Sequence, residues 1–166
     1  MNAQKYTQKS LEAIQAAQSI ATEYGNQQIE QAHLLLALLT AENGLVPQLL
    51  TKMGLTLPSF EAAVKHEVEK LPRVSGSGRE QGKIYIAQDV DKALNTAESV
   101  AEQMKDEYVS VEHLLLALLE TANSGLRDLF KTYNVTKERL LQALSTVRGN
   151  QRVTSDNPEE TYDALK

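Results

Sequence analysis

The chain of 166 residues has no cysteine and no tryptophan, and aromatic residues make up only 5% of it. Without thiols there is no disulfide, no thiolate nucleophile and no thiolate metal ligand, which agrees with a reducing, cytoplasmic setting. Few aromatics means few of the residues that sheet cores favour, so an all-helical protein fits best. Dense cationic patches are also lacking. The formal net charge is -5 and the sequence pI about 5.3, which argues against nucleic acid or an anionic membrane surface as partner. The longest unbroken apolar runs, Leu34 to Leu39 and Leu114 to Leu119, fall far short of the ~20 residues of a membrane span. The opening MNAQKYTQKS has neither the apolar core nor the cleavage site of a secretory signal.

What is present is a duplication. HLLLALL occurs at His33 to Leu39 and again at His113 to Leu119. An offset of 80 also aligns Ala13 with Ala93, Ala17 with Ala97, Ala21 with Ala101, Asn43 with Asn123, Leu49 with Leu129, Thr56 with Thr136 and Ala63 with Ala143. Each copy is of marginal size for a core of its own, so the halves are expected to pack on each other.

Each copy reads as four helices. Leu11, Ile14, Ala17, Ala21 and Tyr24 recur at helical spacing, as do Val90, Ala93, Leu94, Ala97, Val100, Ala101 and Met104. HLLLALL is apolar all round and predicts a central, enclosed helix. Asn43-Gly44 and Asn123-Ser124-Gly125 end these helices, and short third helices follow around Val46 to Lys52 and Leu126 to Lys131. Gly54 and Asn134 stop the chain before Thr56 and Thr136, which can cap fourth helices; Pro58 suits a first turn. Inward stripes are expected from Phe60, Val64, Val68 and Leu71, and from Leu140, Leu141, Leu144 and Val147. The expected architecture is therefore all-α, eight helices as two pseudo-symmetric four-helix repeats in one globular domain over residues 1–148. Repeat one covers 5–71, a Gly- and Ser-rich linker 72–85, and repeat two 86–148. Residues 149–166 lose the apolar ladder and read as a tail leading towards something longer, with Asp156-Asn157-Pro158-Glu159 resembling a helix start.

Reactive chemistry finds little support. Gly76 to Lys83 misses the G-x-x-x-x-G-K-[ST] phosphate loop at Ser77 and Ile84, and misses G-x-G-x-x-G at Gln81. His33 and His113 have Ala37 and Ala117 at i+4 rather than a second metal ligand. In the first turn each imidazole can instead bond back to the residue three positions earlier, Glu30 or Ser110. His66 reads as solvated. Glu159 and Glu160 are adjacent but lie in the tail, where nothing is expected to fix their separation for paired-carboxylate chemistry. With no G-x-S-x-G elbow either, no enzyme, cofactor or metal is expected within the chain.

The paired H-L-L-L-A-L-L helices, each preceded by a long Ala-rich helix, resemble the duplicated N-terminal (Clp repeat) domain of the Clp ATPases. LPRVSGSG from Leu71 to Gly78, DEYVSVEH from Asp106 to His113 and GNQRVT from Gly149 to Thr154 resemble its disaggregating chaperone branch more than the protease-associated one. The resemblance implies a stress-response domain at the entrance of a hexameric ATPase ring, which binds unfolded or aggregated polypeptide and passes it to the pore. ATP and magnesium would belong to modules outside this chain, a co-chaperone system would work with the ring, and the isolated piece would be monomeric. The alternative is an adaptor-docking domain of a Clp-type unfoldase.

The resemblance also implies substrate-binding residues. Thr7, Asp106 and Glu112 match the family's Thr and two acidic positions, and Leu11, Ile14, Val90 and Leu94, with Tyr108 nearby, match the walls of an apolar groove. Read by themselves, Thr7 is equally a helix cap, the carboxylates favour a helix N-terminus, and the four aliphatics serve a core as well as a groove.

Overall fold

The computed structural model describes residues 1–73, 84–149 and 151–159. Eight α-helices follow in two sets of four: α1 (Gln8–Glu23), α2 (Gln31–Thr40), α3 (Leu45–Lys52) and α4 (Leu57–Glu69), then α5 (Gln88–Gln103), α6 (Val111–Thr121), α7 (Ser124–Thr132) and α8 (Lys137–Arg148). The linker segment that carries the imperfect phosphate loop lies outside the described residues. Gly54 (φ 90°) and Asn134 (φ 56°) adopt the left-handed conformation that ends α3 and α7.

The central helices are enclosed as their composition requires. Every residue from His33 to Leu39, and from His113 to Leu118, is buried. Around them α1 packs on α2 and α5 on α6, with alanines at the contact: Ala17, Ala21 and Ala97 are wholly buried and small enough to let the helix axes approach. The copies share one core. α2 touches α6, α3 touches α8, and Phe60 of α4 meets Tyr133 edge-on at 5.0 Å between ring centroids.

The lead-in segments are exchanged between copies, which the periodicity did not foretell. Gln28–Ile29 (β1), before α2, pairs in parallel with Tyr85–Ile86 (β2), before α5. Shifted by 80 residues, Tyr6, before α1, bridges Val109, before α6. Each copy thus supplies a strand to the other, so Tyr85, expected as the last residue of the linker, pairs in a sheet together with Ile86 of the second repeat.

Both histidines close their helix starts. Glu30 N–H donates to His33 Nδ1 at 2.8 Å and Ser110 N–H to His113 Nδ1 at 2.9 Å. An acceptor Nδ1 leaves the proton of a neutral ring on Nε2, which faces Asn26 Oδ1 at 2.8 Å in the first copy and Asp106 Oδ2 at 2.7 Å in the second. Other expectations need correction. Thr136 caps α8 through its hydroxyl, but Thr56 makes no side-chain cap bond. Leu141 is 37% exposed and leaves the inward stripe to Leu140, Leu144 and Val147.

The largest correction concerns the tail. Val153 and Glu159 are buried, and Val153 is held on both sides: its carbonyl accepts from Glu107 N–H at 2.7 Å and its N–H donates to Asp106 Oδ1 at 2.9 Å. Residues 151–159 therefore belong to the folded unit, and Glu159 has a fixed position where none was expected.

Candidate functional site

Thr7 is the N-cap of α1, its Oγ1 accepting from Ser10 N–H at 3.1 Å. The bridge between Tyr6 and Val109 brings the start of α6 alongside, and Ser10 Oγ donates to Val109 O at 2.8 Å. Thr7 Oγ1 also lies 2.8 Å from both Ser10 Oγ and Glu159 Oε2. With Glu159 ionised, Thr7 gives its proton to the carboxylate and the Thr7–Ser10 contact has none. With Glu159 protonated, donation runs unbroken from Glu159 to Thr7 to Ser10 to Val109 O. Burial, and then the charge of Glu112, push the Glu159 carboxyl up to about 7, against the opposing pull of its hydrogen bonds.

A charge cluster adjoins this chain of hydroxyls. Arg148, at the end of α8, donates from Nη2 to Asp106 Oδ1 and from Nη1 to Glu112 Oε2 at 3.3 Å, while its Nε holds Gln151 O at 3.0 Å. All three charged residues are buried. Burial pushes the Asp106 carboxyl up, but the hydrogen bonds from His113, Val153 N–H and Arg148, with the guanidinium charge, outweigh it and hold the group below the usual carboxylate range.

The structure therefore brings Thr7, Asp106 and Glu112 together, but inwardly and beneath the tail. Asp106 and Glu112 are buried and paired with Arg148 rather than presented to solvent. Val90 and Leu94, at 3% and 2% exposure, are core residues of α5 rather than groove walls as the protein stands. Leu11, Ile14 and Tyr108 are half-buried and reach the surface while packing on the core.

Sequence reasoning missed Ser10, Arg148, Val153 and Glu159. For Arg148 a signal existed. At the offset of 80, Asn26 becomes Asp106, Ala32 becomes Glu112 and Val68 becomes Arg148, so two anions and one cation enter the second copy together where the first is neutral. Replacement of a buried valine by arginine points to partners for it.

A crevice of about 730 Å³ opens on the other flank of α1, between Lys9, Ala13 and Ala16 on one side and the end of α2 with its turn into α3 on the other. Val111 and Glu159 border it. Among the described residues no group of three or more His, Cys, Asp or Glu side chains could hold a metal ion, and no single helix is long and apolar enough to cross a membrane.

The model of the Clp repeat (R) N-terminal domain matches residues 5–133. The chain is 43% identical over 166 residues to the chaperone protein ClpB of Bacillus anthracis, covering 100% of this chain and 19% of that protein. It thus spans about a fifth of the curated relatives it matches. Among solved structures, the N-terminal domain of Hsp104 from Candida albicans superposes with a TM-score of 0.81 at 24% identity, covering 93% of this chain and 99% of that one. A ClpV N-domain in complex with a VipB peptide superposes at 0.67 with 19% identity, covering 93% and 90%. At these identities the two structural likenesses speak for the fold.

Proposed function

The chain belongs to the Clp repeat N-terminal domain family, and from that premise we propose that it is the substrate-recognition domain of a ClpB-type disaggregating chaperone, holding unfolded or aggregated polypeptide for an ATPase ring. The observation that carries this reading is 43% identity to ClpB across the whole chain, joined to a half-buried apolar edge at Leu11, Ile14 and Tyr108. The activity is binding rather than catalysis. ATP and magnesium serve modules outside these residues, and the hexameric ring, a co-chaperone system and the cytoplasm form the setting.

Thr7, Asp106, Glu112, Val90 and Leu94 support that edge from within: Thr7, with Ser10 and Glu159, fixes the start of α1 against the start of α6, Asp106 and Glu112 tie α6 and the segment before it to Arg148 of α8, and Val90 and Leu94 seat α5. Burying roughly 400 Å² of apolar surface yields on the order of 10 kcal/mol gross at about 25 cal/mol/Å². Ordering the bound segment, and its lost rigid-body freedom, offset most of this. Affinity on the order of micromolar to millimolar follows, which suits a relay that releases its cargo and gains avidity from several copies on a ring.

The test is an NMR titration of the chain with a permanently unfolded protein. Shifts centred on Leu11, Ile14 and Tyr108 are expected. Unchanged spectra at saturating unfolded protein, together with tight capture of one folded partner, would replace the reading by adaptor docking.

A further inference from the structure

The crevice beside α1 has a counterpart in the other copy, and that counterpart is filled. There the end of α6 is met by Gln31, whose side chain is wholly buried. Gln31 Nε2 donates to Thr121 O at 3.0 Å and to Asp89 O at 3.1 Å, and its Oε1 accepts from Asn123 N–H at 2.8 Å. At the offset of 80 these partners become Ala41, Lys9 and Asn43, and Gln31 becomes Val111. Lys9, Ala41, Asn43 and Val111 all line the crevice. Valine has no amide to offer, so the place that one copy fills with a carboxamide stays open in the other. Exposure agrees: Ala122 is buried while its counterpart Glu42 is exposed, and Thr121 and Asn123 are half-buried while Ala41 and Asn43 are exposed.

A buried, unsatisfied acceptor lies behind the crevice wall. Glu159 is 7% exposed, and its Oε1 has no hydrogen-bond partner although its Oε2 has two. A buried oxygen without a donor is costly, and a primary amide supplies two N–H groups. The floor is apolar, from the buried Ala37, Leu38 and Val46, and the exposed Glu12 and Glu42 give the rim an acidic balance against Lys9. Such a rim disfavours anions and admits neutral polar groups.

We propose that this crevice is a second polypeptide-binding site, which takes a glutamine or asparagine side chain flanked by small apolar residues. The bound carboxamide occupies the position that Gln31 holds in the other copy. Its NH₂ donates towards the carbonyls of Ala41 and Lys9, and its oxygen accepts from Asn43 N–H. This rests on reading the chain as a polypeptide binder but places the contact on the opposite flank of α1 from Leu11 and Ile14.

The test is an NMR titration with the capped pentapeptide acetyl-Ala-Ala-Gln-Ala-Ala-amide, and with the same peptide carrying Glu in place of Gln. Shifts at Ala16, Ala41, Asn43 and Val111 are expected, with at least tenfold weaker binding of the Glu peptide. Val111→Gln, which restores in the first copy the side chain that closes the second, should abolish these shifts. Gln31→Val should open the other crevice and raise the stoichiometry from one to two. Should Val111→Gln disturb the fold, Ala16→Leu fills the crevice from α1 and should abolish them equally. Equal binding of the Gln and Glu peptides, or binding that survives a filled crevice in a folded variant, overturns the proposal. Shifts at Leu11, Ile14 and Tyr108 with unfolded protein report separately on the main reading, so the two can fail independently.

Discussion

Thr7 Oγ1 lies 2.8 Å from Glu159 Oε2, joining the first turn of the first helix to a residue 152 positions later. Because Glu159 is raised from 4.5 to about 7, its neutral form is the one that favours docking. Attachment is therefore full below pH 4.5 and is lost as the pH rises through about 7. Backbone relaxation at Val153 should report a rigid tail at pH 5.5 and a looser one at pH 8. Glu159→Gln should keep it rigid at both. The same rigidity in the unsubstituted chain at the two pH values would refute the link.

Arg148 is the only cation bonded to Asp106 and Glu112 among the described residues, and all three are buried. Removing it leaves two uncompensated carboxylates, so Arg148→Ala should cost about 3–5 kcal/mol in urea unfolding. Combining it with Asp106→Asn and Glu112→Ala restores the neutral pattern of the first copy and should recover much of the loss. A single-substitution cost below about 1 kcal/mol would mean that the cluster contributes little.

Burial lowers His33 to about 4 from 6.5, its neutral ring being held between Glu30 N–H and Asn26. A base whose folded value is depressed contributes stability that is complete above pH 6.5 and is lost as the pH falls towards 4. The full effect is on the order of 3 kcal/mol. Stability measured from pH 7 to 4 should decline, and His33→Gln, less stable at pH 7, should flatten that slope. An unchanged slope would remove His33 as the cause.

Leu11 is half-buried at the proposed binding edge. Leu11→Ser should weaken capture of unfolded protein severalfold while lowering stability by about 1 kcal/mol. Loss of stability without loss of capture would return Leu11 to the core alone.

Phe60 packs against Phe130 and Tyr133 of the other copy. Phe60→Ala should cost about 3–5 kcal/mol and lower a single unfolding transition common to both halves. Two separate transitions in calorimetry would show that the copies fold independently.

Much of the helical layout was legible because helices are local. The 3.6-residue stripe of α5, the all-round apolar HLLLALL, the stops at Gly54 and Asn134 and the histidine caps each depend on residues within a turn or two. The candidate site was legible only in part. Thr7, Asp106 and Glu112 could be placed by resemblance, but their burial depends on Val153 and Glu159, which carry no periodic pattern and are nearly 50 residues or more from the residues they touch.

The sequence by itself determined that this is a doubled four-helix unit with polar helix starts, since periodicity and capping act over a few residues. Only the tertiary structure decided which faces stay open. It turned Val90 and Leu94 inward, laid the tail across Asp106, and filled one of two equivalent crevices with Gln31 while leaving Val111 short of the other. The reason is that exposure belongs to pairs of segments brought together from far apart, and an isolated stripe of residues does not record which partner covers it.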